Sequence, residues 1–500
     1  MTYKNSTIKL SILITIFIVV SLSGCFSEWH GDLAQIVISF GGAERALGYD
    51  ADDSDTHQQL EYRIALSCPS EMKEFDIQGN KTFEAYLMPG KWIVLINSYY
   101  KGEIYATGSK EVILKPGQNN ETINMYKSLQ TEVPGWTLAE KLKWLSENAV
   151  GGKDYLIRLI KDESLAPHTL SYDGKIIKIT LIGDTRMRTV RQLRPDKPDS
   201  PLFLIDPGVT LILDKNITLK GRSGNNSRII SVNEKFIMKA GSKITDNNFK
   251  DGWMAGVYIA KDAVFEMNGG EISGIVAPGG GAVWVEGTFT MNNDAKICNN
   301  ESTDSSGAGV WVVRGGKFFM NGGEISGNTA NDGGGGVFVF NGGAFTMTNG
   351  IISGNNTSAG DGGGVGVTVW AVEEIPLANS TFTMSGGTIS GNTASSGGGV
   401  SVENENADYY STFTMSGGTI SGNTARDNGG GVKVWNGKFN KQFGGIISGN
   451  NATSGQAVFA DSNVSGSYVE KKRDNNIQST DTLSYDEISS TTSTFGWDSP

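Results

Sequence analysis

The chain has 500 residues, 67 of them glycine, with a formal net charge of −11 and a pI near 5.0. That length predicts two or three folding units. The acidic balance excludes nucleic acid and anionic lipid as electrostatic partners, because both need a basic footprint.

Residues 1–24 read as a secretory signal: Lys4 and Lys9, an apolar run from Leu10 to Val20, then Leu22, Ser23 and Gly24 before Cys25. The run is too short to span a bilayer. Leu22-Ser23-Gly24-Cys25 resembles a lipobox, in which small residues let a signal peptidase cut once the cysteine carries diacylglycerol. The resemblance implies a lipid bilayer as partner through acylated Cys25, because two or three acyl chains anchor far better than one. Phe26 stands where an Asp would imply retention at an inner membrane, so the expected address is the outer membrane or cell surface. Residues 25–32 are then a lipidated linker. Only Cys68 and Cys298 remain as thiols, and the organisation below places them in different domains, so a disulfide framework is not expected.

Residues 33–127 alternate apolar segments with turn signals, as in Trp92, Val94 and Ile96 after Pro89-Gly90, which predicts a small β-sandwich. Leu87-Met88-Pro89-Gly90-Lys91-Trp92, followed by Lys115-Pro116-Gly117-Gln118, resembles prealbumin-like domains that act as spacers in surface proteins. Residues 128–152 hold a predicted helix, opened by a capping box of Thr137 and Glu140 and closed by Gly151-Gly152. Leu138, Leu142 and Leu145 share a face, as expected of a helix that covers the open end of a sheet. From Tyr155 to about Ile230 lie β-rich segments without an evident repeat, taken as irregular first coils.

From Phe236 onward one unit recurs, clearest as Phe-Thr-Met-Ser-Gly-Gly-Thr-Ile-Ser-Gly-Asn at 382–392 and 413–423. Its isoleucines (Ile244, Ile272, Ile297, Ile325, Ile352, Ile389, Ile420 and Ile447) are spaced 25 to 37 residues apart, the period of a solenoid. Three short β segments per unit, Phe-x-Met, Thr-Ile-Ser and Gly-Gly-Gly-Val-x-Val, predict an all-β, right-handed parallel β-helix over 153–470, with a C-terminal cap and tail over 471–500. Forty-six of the 67 glycines lie between 252 and 460, which suits coil corners and not a globular core. Extra residues around 371–380 and 403–411 are expected to leave the stack as loops. In the last unit Gln442 is expected to replace the repeat methionine. About eleven or twelve coils at roughly 4.8 Å would make a body about 50–60 Å long.

Stacking turns equivalent positions into columns. Phenylalanines from Phe265 to Phe413 and methionines from Met267 to Met415 should fill the interior. Asn247, Asn300, Asn328, Asn355, Asn392, Asn423 and Asn450 form a ladder broken only at Ile275; a residue present in nearly every coil is structural, whereas active sites are local. Cys298 sits in a column of serines and threonines and reads as a packing residue.

The middle position of Val-x-Val faces outward and reads Tyr258, Trp284, Trp311, Phe338, Gly366, Ser401, Lys433. Four aromatics in consecutive coils are a patch that usually meets something: either a ligand such as a glycan, or a covering domain, loop or protomer. Asp304, Asp332, Asp361 and Asp427 form an acidic column before the third strand, which reads either as a weak calcium (Ca2+) site through oxygen ligands or as solvated corners. No other cofactor or metal is called for. The three histidines precede the repeat, Arg314 and Arg426 are its only arginines between 252 and 470, and no acid pair stands out as a general acid and base. The reading is therefore more of a binding rod than of an enzyme.

Together the lipobox, the segment Leu138-Ala139-Glu140-Lys141-Leu142-Lys143-Trp144-Leu145 and the tandem units resemble right-handed parallel β-helix repeat lipoproteins of spirochaetes and gut bacteria, within the pectate-lyase-like superfold. The resemblance implies fold and location; no catalytic residue of those lyases can be matched. The expected function is adhesion to glycan or a host surface protein, with a ligand-free envelope component or a polysaccharide lyase or glycoside hydrolase as alternatives.

Overall fold

A computed structural model describes residues 33–40, 61–69, 71–78, 82–100, 103–123, 126–127, 130–194, 200–224, 226–249, 256–371, 376–406, 408–442 and 444–460, with further strands at Tyr468–Lys472 and Thr480–Thr482. Leu22, Ser23, Gly24 and Cys25 lie outside the described residues, as does the chain beyond 482. The chain divides into two compact units, 1–129 and 130–500.

In the first unit, alternation of apolar and polar residues gives each strand one inward face. A three-stranded sheet orders Thr82–Leu87, Ala34–Phe40 and Gly117–Ile123; a five-stranded antiparallel sheet orders Glu71–Gln78, Glu61–Cys68, Gly90–Tyr100, Glu103–Leu114 and Tyr126–Lys127. Ile36, Ile64, Phe83, Trp92, Val94 and Val112 from both sheets share one buried core. Gly90, with φ of +141°, makes the turn that brings Trp92 in, and the indole Nε1 donates to Met88 O at 2.9 Å.

The second unit opens with the strand Thr131–Glu132, which pairs in parallel with Tyr155 and Leu156. The helix Leu138–Asn148 follows, with both halves of its capping box formed between Thr137 and Glu140. Leu138, Leu142 and Leu145 join the same core as the coil interior, so the helix closes the apolar end of the stack. Lys141 is buried there with its ammonium donating to Val133 O at 2.9 Å, and burial pushes its pKa down to about 8.

Beyond the helix the chain winds into a parallel β-helix with three faces per coil. On the first face Tyr155, Ile179, Leu211, Phe236, Phe265, Phe289 and Phe318 stand in unbroken register, and Phe345, Phe382, Phe413 and Phe439 continue the column. The segments before 236 thus belong to the same column as the obvious repeats. Their periodicity is hidden because Tyr, Ile, Leu and Phe fill one kind of space with different letters. Rings from Phe236 to Phe439 stack with centroids 4.6 to 4.9 Å apart, the spacing of neighbouring strands. The isoleucine column of the second face runs in register from Ile244 to Ile447. The third face is an 11-stranded parallel sheet from His168–Leu170 to Val458–Ala460.

Corners stack so closely that only glycine fits: a Cβ on Gly364 would lie 2.6 Å from Gly399 O. The last coil differs from the expectation. Lys441, not Gln442, takes the methionine position, pairing with Met415 and lying 4 % exposed, because Phe439 and not the residue after it continues the phenylalanine column. The extra residues leave the stack after the third-face strands Val365–Val369 and Val400–Asn404 and return at Ser380 and Ser411.

Candidate binding face

On the outer side of the third face the sequence column is realised: Tyr258, Trp284, Trp311, Phe338, Gly366, Ser401 and Lys433 are register partners from coil to coil. The rings point away from the coil interior but are not presented to solvent. Trp284 and Trp311 are 4 % exposed and Phe338 1 %. They form a second hydrophobic cluster with Val313, Phe340 and, at its margin, Trp370. Trp284 and Trp311 stack at 4.8 Å, and Phe338 turns edge-on to Trp311 at 5.2 Å. Gly333 and Gly334 of the preceding corner lie against the Phe338 side chain, where a Cβ on Gly334 would come within 2.8 Å of Phe338 Cβ. The row is thus a small exterior core that its own chain covers, which fits the covered alternative rather than an open stacking platform. The overlooked signal is the outward position two residues on, where Val313 and Phe340 are also apolar.

Tyr258, half-buried, closes one end of this cluster. Its hydroxyl and the Trp284 Nε1 both donate to Glu286, at 3.1 and 3.2 Å, and Arg314 pairs with the same carboxylate at 2.7 Å. The Arg228 guanidinium lies 4.7 Å from the Tyr258 ring centroid. Burial first, then Glu286, pushes the Tyr258 hydroxyl up to about 12.

The aspartate column does not converge. Asp304 and Asp427 are exposed corners, Asp332 is half-buried, and no group of three or more His, Cys, Asp or Glu side chains among the described residues could hold a metal ion. Asp361 is engaged by its own partners. It accepts from the Ser396 backbone N–H at 2.8 Å and contacts the ammonium of Lys433, which also reaches Glu403 at 3.2 Å. The Ser401 hydroxyl donates to Glu403 at 2.6 Å. Burial raises the Glu403 pKa; Lys433 opposes the shift and Asp361 adds to it. Burial by itself would lower Lys433, but the two carboxylates outweigh it and hold the ammonium above its ordinary value. These three residues come from three different coils, a juxtaposition that sequence spacing does not reveal.

The two interruptions of the repeat meet beside this triad. In the second, Asn404 and Asn406 fold the loop on itself: the Asn404 carboxamide bonds both to the backbone N–H and to the carbonyl of Asn406, and Asn406 Oδ1 accepts from the N–H groups of Asp408 and Tyr409. Asn379 of the first interruption accepts from the Tyr410 N–H at 2.8 Å, and Ser380 N–H donates back to Tyr410 O. Asn436 of the next coil donates to Asn404 O at 2.9 Å. This frame holds Tyr409 and Tyr410 in solvent at 36 % and 37 % exposure. Half-buried Trp435 lies in register with Glu403, and half-buried Trp370 packs on Phe340 at 5.2 Å. The Lys438 ammonium sits 3.7 Å from the Tyr410 ring centroid.

Cys298 stands between Ser273 and Ser326 in its column, and burial raises its thiol pKa, which disfavours the thiolate. Among the described residues no helix is long and apolar enough to cross a membrane. Fold and face define the molecule as a parallel β-helix solenoid of eleven coils on its third face, preceded by a small two-sheet unit, with its regularity broken at two adjacent coils. Comparison with protein-family models, curated proteins and solved structures finds no match.

Proposed function

We propose that the protein is an exported surface lipoprotein, anchored in a lipid bilayer through acylated Cys25, whose β-helix binds glycan at the corner built by its two interrupted coils. The observation that carries this reading is the pair Tyr409 and Tyr410, held in solvent by a loop that the side chains of Asn379, Asn404 and Asn406 stiffen. Exposed rings on a preorganised frame suit sugars, whose C–H faces stack on aromatics without an ordering cost at binding. The acidic chain, at −11, gives nucleic acid no foothold.

The adhesive reading is tested by probing a glycan and extracellular-matrix array with full-length protein in mild detergent. Saturable retention of one glycan class, reduced at least about tenfold by Tyr409→Ala/Tyr410→Ala, supports it, since stacking contacts of this kind dominate such interfaces. Absence of any saturable ligand, or retention indifferent to the pair, leaves the purely structural reading in its place. Anchoring is tested separately by metabolic labelling with a fatty-acid analogue, which Cys25→Ser should abolish.

A further inference from the structure

The corner's charges bear on which glycan it takes. Among the described residues of these coils are four carboxylates, Asp361, Glu403, Glu405 and Asp408, and two ammonium groups, Lys433 and Lys438. Both ammonium groups are engaged. Lys433 bridges Asp361 and Glu403, and Lys438 lies on the Tyr410 ring. Neither is left to meet a sugar carboxylate or sulfate. Glu405 and Asp408, by contrast, are exposed on the tyrosine loop and form no ion pair with a described residue. An anionic polymer would approach two uncompensated carboxylates in a chain that is already acidic.

A second observation indicates what the surface accepts. The chain's own Lys438 places an alkylammonium over Tyr410 at 3.7 Å, a contact in which the ring's negative face meets a cation and its apolar body meets the methylenes. A hexosamine with a free amino group offers the same combination, an ammonium beside an apolar C–H face. Tyr409 presents a second exposed ring on the same loop as Glu405 and Asp408.

We propose that the ligand of this corner is a glycan bearing free amino groups, a partly or fully deacetylated hexosamine polymer. Tyr409 stacks on a sugar face, Tyr410 offers the part of its ring that Lys438 leaves exposed, and Glu405 and Asp408 pair with the ammonium groups. This inference rests on the glycan-binding reading of the corner.

The test uses full-length protein in mild detergent and three probes of similar length: a glucosamine oligomer, its fully N-acetylated counterpart and hyaluronan. The glucosamine oligomer should bind at least about tenfold tighter than the acetylated one, and binding should weaken with added salt as ionic contacts are screened. Glu405→Gln/Asp408→Asn should lower that affinity about fivefold or more while leaving thermal unfolding unchanged, as befits exposed positions. Preference for the acetylated oligomer or hyaluronan overturns the inference and leaves glycan binding standing. Undiminished capture of the glucosamine oligomer by Tyr409→Ala/Tyr410→Ala marks plain ion exchange and overturns it too. Failure of all three probes also overturns it, and failure of the wider array as well removes the glycan reading with it.

Discussion

Asn355 shows how one residue type can hold successive coils in register. Its backbone N–H and Nδ2 both donate to Asn392 Oδ1, Nδ2 also donates to Ile325 O at 3.0 Å, and its own Oδ1 accepts from both donors of Asn328. The same pattern runs from Asn300 to Asn450, all inside the coil wall. Even the break at Ile275 is bridged, because its N–H donates to Asn300 Oδ1. This column was legible in the sequence because one chemistry, a carboxamide that both donates and accepts, serves every coil. Asn355→Ala should leave several buried donors and acceptors unmatched at about 1–3 kcal/mol each, for a loss of about 3 kcal/mol in urea unfolding. A loss below about 1 kcal/mol would mean the ladder is ornamental. Glu403 was not legible, since its partners come from elsewhere in the fold. Its folded-state pKa lies above the unfolded value of 4.5, so the folded protein holds the proton more tightly. Its contribution to stability therefore falls as pH rises from the unfolded value through the raised folded one, and mild acid strengthens this part of the stack. Glu403→Gln should melt higher than the parent at neutral pH, with the difference shrinking as pH drops towards 4.5. A difference that is constant with pH would contradict the assignment.

At the level of elements, the repeat was legible as a period where identical letters recur; where only volume recurs, the first coils were expected but their columns were not legible. Phe-x-Met and Thr-Ile-Ser announced two faces, whereas Tyr155, Ile179 and Leu211 joined the phenylalanine column unseen. The capping helix was legible because its signals are local: a capping box and three leucines on one face. The cover over the third face was not, because alternation says which way a side chain points and not what lies above it. Register itself can be checked chemically. Cys298 is paired with Ser326 on the adjacent strand, and neighbouring strands about 4.8 Å apart fall within the Cα separation a disulfide tolerates. Under a mild oxidant Ser326→Cys should lose both thiols to a bond with Cys298, read by maleimide labelling, while Ser353→Cys, a further coil away, should not. Cross-linking in the second variant and not the first would contradict the observed register.

At the scale of the whole molecule, a solenoid spends its regular positions on stacking, since every coil touches its neighbours alone and identical columns satisfy identical needs. Recognition then falls to the places where the pattern is broken. Here the regular outward row is consumed by an exterior core, and the second interruption, tied to the first through Asn379, carries the exposed rings. Side-by-side assay of Trp284→Leu/Trp311→Leu and Tyr409→Ala/Tyr410→Ala, each scored for thermal unfolding and for glycan retention per folded molecule, tests this division most directly. The tryptophan pair should cost about 5 °C or more and bind as the parent does, while the tyrosine pair should melt within about 1 °C of the parent and lose binding. Loss of binding in the tryptophan pair without loss of stability, or the converse in the tyrosine pair, would contradict it.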